Sequence, residues 1–197
     1  GRPAWARRFL PGSLTPSRPT NVHDFAALAF FTGGRAVVDQ SGQLEVRAGE
    51  VYLIPAGTRH GVVAAHAPEA WGVGFSPACY AASDVATLLE PFERARSGAS
   101  AVVKIPAARQ HHLAALCAEL QRETAAAPAG GYDAVVTKSL LALVLAEIAR
   151  AASTRDAPAQ PGLVADALRF IERSCLQPLS LSDVAAAVHR SPSHVST

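Results

Sequence analysis

Two kinds of hydrophobic pattern divide the chain. From Ala26 to about Phe75, six short apolar runs alternate with breaks that contain polar residues, glycine or proline, as in ALAFF–TGG, RAVVD–QSGQ and VYLI–PAGTRHG. Runs of this length with such punctuation predict β-strands joined by tight turns. Several closely spaced strands of this kind predict a small barrel or jelly roll.

The pattern becomes helical after Pro106, where apolar residues recur at intervals of three and four. The next predicted helix, Tyr132 to about Arg150, is apolar around most of its circumference and must therefore be covered on several sides. The preceding helix can cover one side, and we expect a second copy of the chain to cover another. The residues expected at this dimer contact are Leu113, Leu116, Leu120, Leu140, Leu143, Val144 and Ile148.

These patterns predict an α+β chain with five segments. An N-terminal arm (1–20) precedes a β-barrel (21–80) and a helical dimerisation segment (81–150). The small, polar, proline-rich stretch AASTRDAPAQPG predicts a linker over 151–162, and residues 163–197 are helical again.

Composition limits the classes of function. A formal net charge of +2 excludes a protein that coats nucleic acid through bulk charge, although a local DNA-contacting element remains possible. Three distant cysteines without CxxC spacing disfavour a disulfide scaffold or zinc finger and are typical of buried residues in a reducing cytoplasm. No stretch resembles a signal peptide or membrane span. Because the chain has no Met and starts at Gly1, we expect a processed or engineered fragment.

The chain contains the spacing Gly49-x5-Pro55-x-Gly57-x2-His60, with His23 upstream. Together these residues resemble the cupin superfamily over about residues 21–76, and the spacing corresponds to its second motif. The resemblance implies a small barrel with histidines inside. Cupin enzymes usually hold a metal with three histidines and a carboxylate, but Phe25 occupies the second histidine place and no Glu follows at the expected spacing. Two imidazoles make a poor transition-metal site, so we expect no metal, cofactor or catalytic residue. His60 is either a hydrogen-bonded barrel residue or part of a ligand pocket.

Strand alternation indicates further residues that could face the pocket, but it does not decide which face of each strand points inward. The N-terminal stretch beginning at Trp5 is apolar for a free tail, and we expect it to fold over the barrel mouth. Ordinary core packing is the alternative for each aromatic residue. The candidate effector-binding residues are Trp5, Phe9, His23, Phe30, Tyr52, Ile54, His60, Val62, Trp71, Val73 and Phe75.

The C-terminal segment predicts a helix-turn-helix. Ser180 and Asp183 have capping-box spacing at the start of a short helix, which the turn HRSP and a second helix start, SPSH, follow. A generic helical hairpin has the same periodicity. The candidate DNA-contacting residues are Arg190, Ser191, Ser193 and His194.

The stretch ALRFIERSCLQPLSLSDVAAAVHRSPSHVS resembles the first helix-turn-helix of the AraC-type family of bacterial regulators. The order of parts agrees: cupin-like barrel, two-helix segment, linker and DNA-binding module. The resemblance implies a homodimer, with contacts in about residues 107–150, that binds a small effector in the barrel and activates or represses nearby genes. Family members continue further, so we expect this fragment to sense and dimerise and the intact protein to bind promoter DNA.

Two other functions remain open from the sequence. His23 and His60 suit a cupin-type metalloenzyme with a helical appendage. A purely structural dimerisation module would need no interior pocket.

Overall fold

The computed structural model describes residues 4–16, 21–79, 86–125, 132–155 and 180–187. The strands are β1 (Ala4–Phe9), β2 (Ala26–Asp39), β3 (Gln43–Arg47), β4 (Glu50–Ile54), β5 (Gly61–Phe75) and β6 (Val102–Lys104). The helices are α1 (Glu90–Arg96), α2 (Ala107–Ala125), α3 (Asp133–Arg155) and α4 (Leu181–Ala187). Two compact units divide the chain, Gly1–Thr154 and Arg155–Thr197.

The described strands form one antiparallel sheet in the order β1-β5-β2-β4-β6, and β3 pairs with β2 as well. The antiparallel sheet and the helices make the chain an α+β protein, as the pattern of the sequence predicts.

The two long strands β2 and β5 bend together where the sequence predicts turns. The breaks at Gly33–Gly34 and at 66–68 do not reverse the chain, and the pairing register of β2 with β5 shifts on both sides of Gly33. Gly34 has a φ of 63°, and a Cβ added there would overlap the carbonyl of Ala67 on β5. Only glycine permits this approach. The six predicted runs therefore merge into four strands.

Sequence-distant segments extend the sheet beyond the predicted barrel. Residues of the predicted N-terminal arm form β1, which pairs with β5 from Ala4 opposite Phe75 to Phe9 opposite Ala70. The predicted helical segment supplies β6, which pairs with β4. Such pairings depend on tertiary contacts that local patterns do not encode.

Each face of the sheet supports a different hydrophobic cluster. One cluster joins Leu28, Phe30 and Val73 of the sheet to the apolar side of the helices, including Leu113 and Leu145. The other cluster lies on the opposite face of the strands. Its buried residues include Ala27, Phe31, Val38, Tyr52 and Ile54.

The long helices begin and end close to their predicted bounds. Helix α2 starts directly after Pro106, and α3 runs to Arg155, so that the first five residues of the predicted linker are helical. Cys117 lies on the buried side of α2, where burial raises the pKa of its thiol to about 12. Among the described helices, none combines the length and the apolar character that a membrane span requires.

Helix α4 begins with the predicted capping box. The amide of Asp183 donates to Ser180 Oγ at 3.2 Å, and the amide of Ser180 donates to Asp183 Oδ2 at 2.9 Å. These bonds satisfy backbone groups that the first turn of a helix leaves unpaired. The bonds from Ser180 lower the pKa of the Asp183 carboxyl.

Candidate functional site

A cavity of about 600 Å³ lies mainly against the face of the sheet that carries Ala27, Phe31 and Tyr52, opposite the face that packs on α2 and α3. This volume is within the range of small-molecule sites in proteins. Strand β1 and the residues after it line one part, and β2, β4, the start of β5 and the segment around Asn21 line the rest. The lining residues are Trp5, Arg7, Phe9, Ser13, Leu14, Thr15, Asn21, Val22, His23, Phe25, Ala27, Leu28, Ala29, Phe31, Val38, Tyr52, Ile54, His60, Gly61, Val62 and Gly72.

The sequence candidates divide between the two faces of the sheet. Those that line the cavity are Trp5, Phe9, His23, Tyr52, Ile54, His60 and Val62. Those that lie on the opposite face, in the cluster that includes the helices, are Phe30, Trp71, Val73 and Phe75. Phe30 pairs with Val51 and Trp71, so the four side chains on this face point away from the cavity. Strand alternation alone did not decide which face points inward.

Several lining residues are absent from the sequence candidates, notably Arg7, Phe25 and Phe31. Phe31 has the opposite parity to Phe30 in the same strand. Arg7 shares the parity of Trp5 and Phe9, and this two-residue spacing was the available signal for including it.

Two glycines of β5 allow the side chains of β1 to lie against the sheet. Trp5 pairs with Gly74, and a Cβ at Gly74 would overlap the indole ring. A Cβ at Gly72 would likewise overlap the ring of Phe9. Both aromatic rings therefore pack directly on the backbone of β5.

The Arg7 guanidinium lies between these two rings. Its Cζ atom is 5.3 Å from the Trp5 ring centroid and 4.3 Å from the Phe9 ring centroid. These are cation–π distances.

Two histidines face each other at the cavity, with ring centroids 4.8 Å apart. His23 Nδ1 is 2.5 Å from the carbonyl oxygen of Phe25, and His60 Nδ1 is 3.1 Å from that of Thr58. A carbonyl only accepts hydrogen bonds, so Nδ1 of each ring carries the proton and donates. In a neutral imidazole of this tautomer, Nε2 is then an acceptor.

The histidine pair belongs to a row of aromatic rings. His23 stacks in parallel on Phe25 at 3.9 Å, and Phe25 meets Trp5 edge-on at 6.0 Å. Burial lowers the pKa of His60, the bond to the Thr58 carbonyl opposes this shift, and the charge of His23 adds to it. His60 is therefore neutral at neutral pH.

The donor set at the cavity does not fit a cupin metal centre. Phe25, whose ring stacks on His23, stands at the place of a second histidine ligand. In the described part of the chain, no three or more His, Cys, Asp or Glu residues are grouped so that they could hold a metal ion. Two imidazoles are fewer protein ligands than zinc sites use.

Tyr52 directs its hydroxyl group at a buried amide. The hydroxyl donates to Gln40 Oε1 at 2.8 Å, and burial, together with the charge of Asp39, raises the pKa of the phenol. Tyr52 therefore stays uncharged. Among the lining residues that the structure describes, Arg7 is the one Arg, Lys, Asp or Glu.

The residues expected at a dimer contact are mostly in the protein's own core. Leu113, Leu116, Leu120, Val144 and Ile148 are buried. Leu140 is half-buried, and Leu143 is 52% exposed. The helix–sheet core uses the apolar faces that the sequence analysis assigned to a partner.

A different apolar stripe is exposed on α3 and the residue before it. Tyr132, Val135, Val136 and Leu143 fall on one side of the helix and are between 40% and 85% exposed.

The candidate DNA-contacting residues Arg190, Ser191, Ser193 and His194 lie outside the described residues, as do the helix predicted from Leu163 and most of the predicted linker.

No protein-family model and no curated protein matches the chain. Among solved structures, the AraC-like transcriptional activator CuxR aligns with 97% of this chain at 15% identity and a TM-score of 0.41. The apo form of ToxT from Vibrio cholerae aligns with 97% of this chain and 72% of its own at 5% identity and a TM-score of 0.47. A Cupin 2 conserved barrel domain protein from Salinispora arenicola aligns with 39% of this chain and 66% of its own, at 22% identity and a TM-score of 0.33.

The alignments with CuxR and ToxT span nearly the whole of this chain, and the alignment with the Cupin 2 protein spans part of it. The chain spans 65% of the length of CuxR.

Proposed function

We propose that this chain is the sensing part of an effector-responsive transcription regulator of the AraC type. The observation that carries the proposal is the cavity of about 600 Å³ in a chain that also contains SLSDVAAAVHRSPSHVS, the segment resembling a helix-turn-helix. In this proposal the curved sheet is a cupin-like barrel, the cavity binds a small effector, and the protein acts in the cytoplasm.

The chemistry of the cavity favours binding over catalysis. Its described lining residues include no carboxylate and no cysteine. Tyr52 is held as a neutral phenol, and the Nδ1 atoms of both histidines are occupied by backbone carbonyls. A nucleophile paired with a base, or a carboxylate pair for acid–base work, is absent from the described lining.

The DNA-binding part of the proposal rests on the sequence around α4. The capping box at Ser180 and Asp183 starts this helix within the segment that resembles a helix-turn-helix. The proposed contacts to DNA come from Arg190, Ser191, Ser193 and His194 at the start of the following helix. A net charge of +2 is consistent with a local reader of this kind.

We also propose that the chain is a homodimer through the exposed stripe of α3. Tyr132 and Leu143 are 85% and 52% exposed, and burial of such side chains is favourable by about 25 cal/mol per Å² of apolar surface. This contact replaces the one expected from Leu113, Leu116 and Leu120, which the core already uses.

A mobility-shift assay with the full-length gene product and DNA from upstream of its own gene tests the regulator proposal. We expect a specific shift whose affinity falls steeply with salt, because binding to DNA releases counterions. Arg190→Ala should weaken the shift, whereas Arg122→Ala on α2 is the matched control and should leave it unchanged. No specific shift by the full-length protein, with or without cell extract as a source of effector, would refute the proposal.

A further inference from the structure

Among the described lining residues, the fixed charge of the cavity has one sign. Arg7 is the one of them that is charged at neutral pH whatever its surroundings, because guanidinium groups keep their proton. No ion pair between Arg7 and a carboxylate is found within the described residues. The next residue, Arg8, differs, because its guanidinium pairs with Glu69 at 3.2 Å. Arg7 is therefore available to an anion from outside the chain.

The position of Arg7 also orients it. The rings of Trp5 and Phe9 lie near its guanidinium carbon, and both rings are held against β5 by Gly74 and Gly72. Guanidinium N–H groups point outward in the plane of the group and match the two oxygens of a carboxylate. The ring contacts leave the N–H edge of the Arg7 guanidinium free to bind an anion.

The remaining lining favours an apolar body. Aromatic and aliphatic side chains predominate in it, and the Tyr52 hydroxyl is used by Gln40. A polyol such as a sugar would place hydroxyl groups against these aromatic and aliphatic side chains, and a buried hydroxyl without a partner is unfavourable. A cationic ligand would meet Arg7 and no carboxylate among the described lining residues.

We propose that the cavity binds a small ring-containing carboxylic acid, with its carboxylate on Arg7 and its ring among the aromatic side chains of the lining. Neutral His60 supplies an Nε2 acceptor for a hydroxyl group on the same molecule. This assignment rests on the proposed function, because it names the chemical class of the effector.

Isothermal titration calorimetry with three matched sets of probes tests the assignment. The acids are benzoate, trans-cinnamate and 2-naphthoate, and each is compared with the alcohol and the primary amine of the same ring system. We expect at least one acid to bind about 10-fold to 100-fold more tightly than its alcohol, as a charge-assisted hydrogen-bond pair provides, and the amines to bind least.

Variants of β1 assign the preference to Arg7. Arg7→Gln should remove the preference for the acid while retaining the affinity for the alcohol, and Arg7→Lys should restore part of it. Arg8→Gln is the matched control, because it makes the same substitution in the same strand at an arginine that pairs with Glu69 outside the cavity lining. It should leave the preference for the acid intact.

Three outcomes would overturn the assignment. These are alcohols that bind as tightly as the acids, a preference for the acid that survives Arg7→Gln, and a failure of all the acids to bind at about 1 mM. The first two results would leave a cavity that senses another kind of molecule, so the regulator proposal would stand. In the third case, the mobility-shift assay still decides the regulator proposal independently.

Discussion

Glu147 on α3 accepts two hydrogen bonds from the guanidinium of Arg109 on α2, from Nε to Oε2 at 2.8 Å and from Nη2 to Oε1 at 2.7 Å. The Glu147 side chain is 6% exposed, and Arg150 also donates to its Oε1 at 2.9 Å. The bonds from Arg109 are the main reason why the pKa of the Glu147 carboxyl is lowered. This bidentate pair joins the two long helices that cover the sheet.

Glu147→Gln should lower the free energy of unfolding at pH 7 by about 1–2 kcal/mol, because it replaces charge-assisted hydrogen bonds with neutral ones. The loss stays moderate because Arg109 is half exposed and water replaces part of the interaction. Urea unfolding measures the difference. Glu119→Gln is the matched control, since Glu119 pairs with Arg122 on the surface of α2 and should change stability by less than about 0.5 kcal/mol.

The Arg109–Glu147 pair also makes the free energy of unfolding depend on pH in acid. The folded pKa of Glu147 lies below the unfolded value, so its contribution is complete above the unfolded pKa of about 4.3 and is lost as the pH falls through the folded pKa. The difference in stability between wild type and Glu147→Gln should therefore shrink as the pH falls below about 4.3. A difference that grows in acid would contradict the role of the ionised carboxylate.

The lowered pKa of His60 predicts a second pH dependence of stability, in a different range of pH. Its folded pKa is lowered, so the unfolded chain takes up a proton at His60 at a higher pH than the folded chain does. Wild-type stability should fall as the pH drops below about 6.5, and His60→Gln should reduce that slope. His23 faces His60 and must be unchanged in both proteins. His111→Gln, at an exposed position on α2, is the control and should keep the slope.

Gly74→Ala should move the indole of Trp5 away from β5, because the new Cβ would overlap it. In a Trp71→Phe background, where Trp5 is the remaining tryptophan, its emission should shift to the red as the ring meets more water. We expect a loss of about 1–3 kcal/mol in stability from the displaced side chain. In Gly33→Ala the new Cβ would lie 3.5 Å from the Glu69 side chain, an ordinary contact, so this control should retain the wild-type emission.

Leu143→Asp should convert the proposed dimer to a monomer that keeps its unfolding temperature within a few degrees, because Leu143 is 52% exposed in the single chain. Light scattering gives the mass, and thermal unfolding gives the stability. Ala115→Asp introduces the same charge at an exposed position on α2 and should remain a dimer. A dimer that survives Leu143→Asp would place the contact elsewhere. Leu120→Asp is unsuitable for this purpose, because Leu120 is fully buried and its substitution would unfold the chain.

Local patterns in the sequence predicted the features that depend on neighbouring residues. The capping box of Ser180 and Asp183 and the helix that begins after Pro106 are examples, because caps and proline act within a few residues along the chain. Strand-like runs around Phe30 and Tyr52 were also visible, as was the spacing typical of cupins that contains His60.

Tertiary structure decided which residues meet. An alternating strand presents two faces, and only its pairing with other strands chose Phe31 over Phe30 for the cavity. The pairing of β2 with β5 continued through Gly34, where the sequence predicted a turn, and the pairing of β1 with β5 brought Trp5 and Phe9 of the predicted arm onto the glycines of β5. The sequence by itself determined the kinds of elements and their local boundaries. Strand pairing decided which side chains line the cavity, because contacts between distant segments leave no period in the sequence.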